Sequence, residues 1–330
     1  MKKFVNNVDE ILTESLTGFG NAHKDILEVK LKPDFIARKS KPESPKVALI
    51  SGGGSGHEPL HGGFVGYGML DAACPGQIFS APTPDQMEAA SNHVHSGKGI
   101  LFIVKNYSGD IMNFEMGADM IDHENQTIIV NDDVAVEDST YTTGRRGVAG
   151  TMIVEKIVGS LAETGALLDE CKKLGDHVNK MSASMGVAFT SCTVPAAGKP
   201  TFDIGENEME FGVGIHGEPG RKRENIKTAD EITSELMGAI LEDLKPDNNQ
   251  EVLLHANGFG GTPLMELYLL FNSAKNILDK KNIKVTRSLV GNFTTSLDMA
   301  GGSLTVTKID NEIVKHWDSP VHTAALRWKI

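Results

Sequence analysis

A chain of 330 residues with 40% hydrophobic and 23% charged residues has the make-up of a folded water-facing protein, with length for two ordinary domains or one large one. Its formal net charge of -12 repels phosphate backbones and anionic membranes; with no dense Lys/Arg face and no apolar run of spanning length, neither nucleic acid nor a membrane is expected as a partner. Three widely spaced cysteines, Cys74, Cys171 and Cys192, form neither a C-x-x-C pair nor a disulfide framework, so they are expected to be reduced and mostly buried.

The first residues, Met1-Lys2-Lys3-Phe4-Val5-Asn6-Asn7, start basic but lack the apolar region and small-residue cleavage site of a secretion signal, which points to the cytoplasm. The first strong element is a strand, Lys46 to Ile50. It runs into Ser51-Gly52-Gly53-Gly54-Ser55-Gly56-His57-Glu58-Pro59, read as a glycine turn that brings a histidine to the strand's carboxyl end. Open α/β sheets bind their ligands there. Glycines let main-chain amides approach an oxygen-rich ligand, and the segment that follows can open a helix with free first amides.

Three known motifs nearly fit this run, and each fails. A Walker loop needs Lys and then Ser or Thr where His57 and Glu58 stand, so no ATP phosphate is gripped here. The dinucleotide fingerprint needs a third glycine where Pro59 stands. His57-Glu58-Pro59-Leu60-His61 has the H-e-x-x-H form of a zinc helix, but proline is comfortable only in a helix's first turn, which takes His57 off the face of His61. No metal site is expected.

Further along, Thr83-Pro84-Asp85 reads as a cap with proline at the first helical position, opening a helix that ends near Gly97. A strand from Gly99 to Val104 leads into the loop Lys105-Asn106-Tyr107-Ser108-Gly109-Asp110, then a helix with apolar spacing through Ile111, Phe114, Met116 and Met120. Lys105 and Asp110 thus lie at another strand's carboxyl end, on the same candidate face as His57. A third strand, Thr127 to Val136, carries Asp132 and Asp133, and Gly144-Arg145-Arg146-Gly147 precedes a helix through Met152, Ile153, Ile157 and Leu161. The two arginines suit an anion site, an ion pair with Asp132 or Asp133, or a partner contact equally well.

A soft boundary is placed at about residue 183, giving lobes of residues 1–183 and 184–330. Beyond it lie a small-residue stretch from Ser191 to Pro200, the run Glu210 to Gly220 with His216, and a helix from Thr228 to about Leu244. A solvated loop, Lys245 to Gln250, a strand Glu251 to Ala256, and a long helix opened by Thr262-Pro263 and ending near Lys280 follow, with two more strands and a short tail. Alternating strands and helices argue for the α/β class. Taken singly, a loop histidine among glycines is more often packing, an aspartate opening a helix more often a cap, and a loop lysine more often solvated.

Together the loops say more. Ser51 to Pro59, Ala81-Pro82-Thr83-Pro84-Asp85, Lys105 to Asp110, Gly144 to Gly147, Thr193-Val194-Pro195-Ala196-Ala197-Gly198 and Gly212 to Gly220 are long, ordered and mutually spaced motifs. Over nearly the whole chain they resemble the dihydroxyacetone-binding part of the dihydroxyacetone kinases, most closely the separate bacterial subunit of the phosphoenolpyruvate-dependent systems. The resemblance implies two α/β lobes of the type shared with DegV proteins: a mainly parallel three-layer α/β/α lobe and a two-layer mixed-sheet lobe with helices mainly on one side. It also implies that His216 holds dihydroxyacetone as a hemiaminal, that Asp110 is the catalytic aspartate, and that His57 hydrogen-bonds the substrate and shares the base role. Lys105 is implied to touch the substrate, with Gly54, Ser55 and Gly56 giving close backbone approach. Glu58 and His61, which the resemblance does not assign, are candidates for support around the site and no more.

In the one-chain members of this family a helical nucleotide domain follows, whereas this chain stops at Ile330. The phosphoryl donor, ADP/ATP with Mg, is therefore expected on a nucleotide-binding (DhaL-like) kinase subunit fed by a phosphotransfer (DhaM-like) protein, and this chain is expected to bind no cofactor itself and to form a homodimer. Two rivals are a dihydroxyacetone-binding coactivator of transcription, which would not need Asp110, and a fatty-acid carrier of the DegV class, which would need an apolar tunnel.

Overall fold

The computed structural model describes residues 2–136 and 142–329. In the first half, α1 (Ile11–Ala22) precedes β1 (Leu27–Lys30), β2 (Phe35–Arg38), β3 (Ala48–Ser55), the short β4 (Gly66–Tyr67) and β5 (Ala72–Ile78). After these come α2 (Pro84–Val94), β6 (Ile100–Lys105), α3 (Ser108–Asp119), β7 (Asn125–Val130), α4 (Gly150–Glu163) and α5 (Leu168–Lys180). Apart from β4 the strands form one sheet in the order β1-β2-β5-β3-β6-β7. Its centre is parallel, and β1 and β2 form an antiparallel edge.

Alternation along β6 shows why this sheet is covered on both faces. Ile100, Phe102 and Val104 pack with Met87 and Ala90 of α2 and Phe114 of α3. Leu101 and Ile103 point the other way, into a core with Met152, Ile153, Ile157 of α4 and Leu174, Val178 of α5.

The second half contains β8 (Ser182–Ala188), β9 (Glu208–Phe211), β10 (Lys222–Asn225), α6 (Ala229–Leu244), β11 (Glu251–Gly258), α7 (Leu264–Lys280), β12 (Lys284–Gly291) and β13 (Gly301–Lys308). Its sheet runs β10-β9-β8-β13-β11-β12 and is antiparallel except for β11 with β12. Helices α6 and α7 cover one face, where Met185, Val187, Leu254, Ala256, Leu304 and Val306 meet Leu236, Ile240, Ala274 and Leu278. The opposite face is lined with small polar groups, Ser182 with Thr307 and Ser184 with Thr305, paired across strands at 2.8 and 2.6 Å. Helix α4 touches β3 and β6 of one sheet and β8 of the other, which is why Met152 to Gly159 are buried without a break. The tail is structured as α8 (Asn311–Trp317), β14 (Val321–Thr323) and β15 (Arg327–Trp328), and β14 returns to pair with β4. Among the described residues no helix is long and apolar enough to cross a membrane.

The helix starts were legible. Thr83 and Gln86 close a capping box ahead of Pro84, and Thr228 and Glu231 close another at α6. Four expectations are corrected. The strand does not end at Ile50; it continues through Gly52, Gly53 and Gly54, which pair with Cys74, Pro75 and Gly76 of β5. Neighbours come so close that a Cβ on Gly52 would lie 2.4 Å from the Cys74 carbonyl oxygen. No helix opens after the loop: Pro59 and the Gly62-Gly63 pair favour turns, and only a three-residue 3-10 segment, Gly62–Phe64, forms. The third strand ends at Val130 instead of Val136, because the Asp132 carboxylate leaves the sheet to accept from the Val148 and Gly150 amides at the start of α4. On α3 the buried face is Asp110, Phe114 and Gly117. Met116 and Met120 are exposed instead, since Gly117 is the position pressed against Met87 of α2.

Candidate active site

The run from Ser55 to His61 leaves β3 at its carboxyl end and is pinned by the 292–299 segment of the second half. The Leu297 amide donates to the Gly56 carbonyl at 2.9 Å, and the Thr295 amide to the His57 carbonyl at 3.2 Å. This pinning orients the His57 ring. Its Nδ1 donates to the Thr295 carbonyl at 2.7 Å, leaving Nε2 without a proton of its own. Phe79 stacks against the ring at 5.0 Å between centroids. Burial, with His216 and Lys105 as positive neighbours, pushes His57 well below the usual imidazole range, so it is a neutral ring near pH 7.

His216 arrives from the second half, on the loop between β9 and β10. Its backbone amide donates to Glu218 Oε2 at 2.9 Å and its Nδ1 donates to Oε1 of the same carboxylate at 3.0 Å. Gly214 makes this turn fit: a Cβ there would sit 1.9 Å from Glu218 Oε2. Burial opposes ionisation of Glu218, yet His216 and the nearby Arg146 hold its carboxyl down at about 2. With Nδ1 committed to Glu218, Nε2 is the nitrogen of His216 left without a carboxylate partner. That atom lies 3.0 Å from Nε2 of His57. Both rings present an unprotonated edge to the contact, so one shared proton must lie between them. Tyr107 and Phe79 meet the His216 ring edge-on at 4.6 and 5.2 Å.

Asp110 sits in the first turn of α3, buried, with Oδ2 3.5 Å from Lys105 Nζ at the end of β6. Burial raises its carboxyl above the ordinary range, while Lys105 and His216 pull it back. Lys105 is fully buried, and its ammonium also donates to the Gly52 carbonyl at 3.2 Å. Gly53 makes room for it: a Cβ there would stand 2.3 Å from Nζ.

The residues singled out from sequence thus fall into two groups. Gly54, Asp110 and His216 line one cavity of about 360 Å³ with Phe79, Ala81, Tyr107 and Gly109. His57 and Lys105 touch two of its wall residues, His216 and Asp110. Ser55 and Gly56 turn elsewhere: the Ser55 hydroxyl donates to the Gly76 carbonyl at 2.7 Å, and the Gly56 amide is taken by Glu58 at 3.0 Å. His61 bonds Lys105 and Glu155, not the partners of His57. Of the arginines, Arg146 is buried on Asp133 at 2.7 Å and Arg145 pairs with Asp243. All three cysteines are buried and free. Glu218, Tyr107 and Phe79 were not singled out. The His-Gly-Glu spacing around His216 was the signal for Glu218, whereas Phe79 is brought in by β5 and left no local sign.

Comparison with known proteins places the chain. The Dak1 domain model matches residues 17–325. The dihydroxyacetone-binding subunit DhaK of the PEP-dependent dihydroxyacetone kinase of Escherichia coli (strain K12) is 44% identical, with 99% of each chain covered. The corresponding PTS-dependent subunit of Lactococcus lactis is 47% identical, with 98% of each covered. Among solved structures, the dihydroxyacetone kinase operon co-activator DhaQ superposes with a TM-score of 0.88 at 33% identity, covering 94% of this chain and 97% of that one.

Proposed function

The chain belongs to the Dak1 domain family, and from that premise we propose that it is the dihydroxyacetone-binding subunit of a phosphoenolpyruvate-dependent dihydroxyacetone kinase, a phosphotransferase that yields dihydroxyacetone phosphate. The observation that carries this reading is the pairing in one cavity of an oriented histidine nitrogen, on His216, with a buried carboxylate, on Asp110. The first captures a ketone; the second accepts a hydroxyl proton.

Nε2 of His216 adds to the ketone carbon, and the ketone oxygen takes the proton held between the two rings. The result is a hemiaminal whose positive ring faces the Glu218 carboxylate, with His57 left neutral and able to accept from the new hydroxyl. Glycerol has no carbonyl and cannot be held this way, so selection rests on a bond and not on hydrogen bonds to similar polyols. Asp110 then accepts the proton of a terminal hydroxyl as that oxygen attacks phosphorus, its raised carboxyl range making it a better base near neutral pH. Lys105 supplies positive charge beside it. The phosphoryl group comes from a nucleotide-carrying partner subunit holding ADP/ATP with Mg, recharged by a phosphotransfer protein. We place the chain in the cytoplasm as a homodimer that serves glycerol metabolism.

The coactivator reading has support from the DhaQ superposition. The set His57, Lys105, Asp110 and His216, together with kinase-subunit relatives at 44% and 47% identity, favours the enzyme. Reconstitution separates them: with nucleotide-loaded partner subunit, phosphotransfer protein and phosphoenolpyruvate, the enzyme forms dihydroxyacetone phosphate continuously. Tight dihydroxyacetone binding without turnover would instead make the chain a sensor.

Gly53→Ala offers an internal test of the Lys105 placement. The added methyl displaces the ammonium by about 1 Å, and a shift of that size costs on the order of 100-fold in rate. Gly53 sits at a φ of +156°, so the alanine also strains the strand and lowers the thermal midpoint; turnover measured well below that midpoint is expected to fall that far, which kinetics beside a melting curve would check.

A further inference from the structure

Behind the cavity, the hydrogen bonds of Lys105 lead into the core. Its ammonium hydrogens are directed to the Gly52 carbonyl, to Asp110 and, at 2.8 Å, to Nε2 of His61. An ammonium only donates, so Nε2 of His61 must accept and the ring proton must sit on Nδ1. Nδ1 faces two acceptors: Glu155 Oε1 at 2.6 Å and the Ser51 oxygen at 2.9 Å, whose own proton goes to the Ile103 carbonyl at 2.6 Å. Glu155 lies on α4 at 0% exposure, and its Oε2 has no hydrogen-bond partner. Burial pushes its carboxyl up to about 8, and an ionisable group kept in the core with one oxygen unsatisfied is costly for folding alone.

We propose that His61 and Glu155 are positioning residues for phosphoryl transfer: Oε1 of Glu155, as acceptor, fixes the Nδ1–H tautomer of His61, and that tautomer holds Lys105 as an ammonium ion aimed at Asp110. The inference rests on the reading of Asp110 as the base. The charged and titratable groups around Lys105 are Asp110 from α3, His57 and His61 from the turn after β3, Glu155 from α4 behind His61, and His216, which lines the same cavity as Asp110. If the Glu155 side chain donated to Nδ1 instead, the His61 proton would move to Nε2 and confront the ammonium, and Lys105 could then remain only as a neutral amine. Asp110 would lose the neighbour that favours its ionised form, so the acid limb of the rate profile would move to higher pH.

The first test reads the tautomer directly, by ¹⁵N NMR of histidine-labelled wild-type protein with His61 assigned through His61→Gln. A proton-free Nε2 and a protonated Nδ1 are expected; a protonated Nε2 overturns the proposal whether or not any variant folds. The second uses Glu155→Leu, which offers Nδ1–H no acceptor, in the reconstituted kinase. A fall in kcat of roughly tenfold to 100-fold, as for other residues that orient a functional side chain, is expected, with KM nearly unchanged and the acid limb raised. A kcat within about twofold of wild type and an unmoved limb would overturn it. The tautomer is read without turnover, so its failure leaves Asp110 as the base, whereas full activity in Asp110→Ala would overturn that reading and this one together.

Discussion

Asp110→Ala is expected to abolish measurable phosphoryl transfer while dihydroxyacetone is still captured on His216. Asp110 and His216 line one cavity but come from different halves of the chain, and among the described residues no hydrogen bond joins the carboxylate to either histidine. Its removal leaves the Glu218–His216 contact and the shared proton in place. A positioned general base contributes on the order of 10²- to 10⁴-fold in rate, which is the loss expected in kcat. Lys105 keeps the Gly52 carbonyl and His61 as partners, so its ammonium stays hydrogen-bonded in the variant. Removing Asp110 also takes the anionic partner from the buried Lys105, a loss on the order of 3–5 kcal/mol, so the melt is expected to fall while the protein stays folded at assay temperature. Steady-state kinetics with the reconstituted partners, beside a thermal melt, would check both halves; wild-type turnover would remove Asp110 from the mechanism.

His216→Ala is expected to fail at the earlier step. The variant loses the bond to the ketone carbon and the ring that Phe79, Tyr107 and His57 enclose. Glu218 keeps one donor, the backbone amide of residue 216, and Arg146 nearby, so the loop is expected to hold its shape. Capture that depended on the bond then falls to ordinary hydrogen bonding. The expected result is a kcat/KM lower by roughly 100-fold or more, the scale set by losing a held near-attack geometry, with KM carrying more of it than kcat. Glycerol, which the wild type is expected to reject, should become a comparable competitor. Retained discrimination against glycerol would mean that selection does not pass through His216.

Much of the frame was visible in the residues themselves because its signals are local. Thr83-Pro84-Asp85 and Thr228 with Glu231 mark helix starts within four residues, and the short β-branched run Ile100 to Val104, preceded by Gly99, reads as a buried strand. Placement of His57, Lys105 and Asp110 at strand ends followed from the same local logic. What stayed hidden depends on partners far along the chain. Gly52 to Gly54 look like a turn until β5 lies alongside, and the same absence of Cβ that permits a turn permits that close pairing. Met116 and Met120 fit an apolar helical spacing, yet the small Gly117 is what lets α3 approach α2, which turns the methionines outward. The arginines illustrate both cases. Arg146 finds Asp133, close in sequence and among the pairings considered, whereas Arg145 finds Asp243 on α6. The contact between His61 and Glu155 joins residues 94 positions apart and could not be inferred without the fold.

Covalent capture by His216 is the central claim, and ¹³C NMR of dihydroxyacetone labelled at its ketone carbon tests it most directly. Mixed with wild-type protein, the label should give a protein-bound signal in the tetrahedral region that is missing with His216→Ala. A bound label that keeps its carbonyl shift under saturating protein would contradict the account, leaving His216 a packing residue and the site a binder without the hemiaminal.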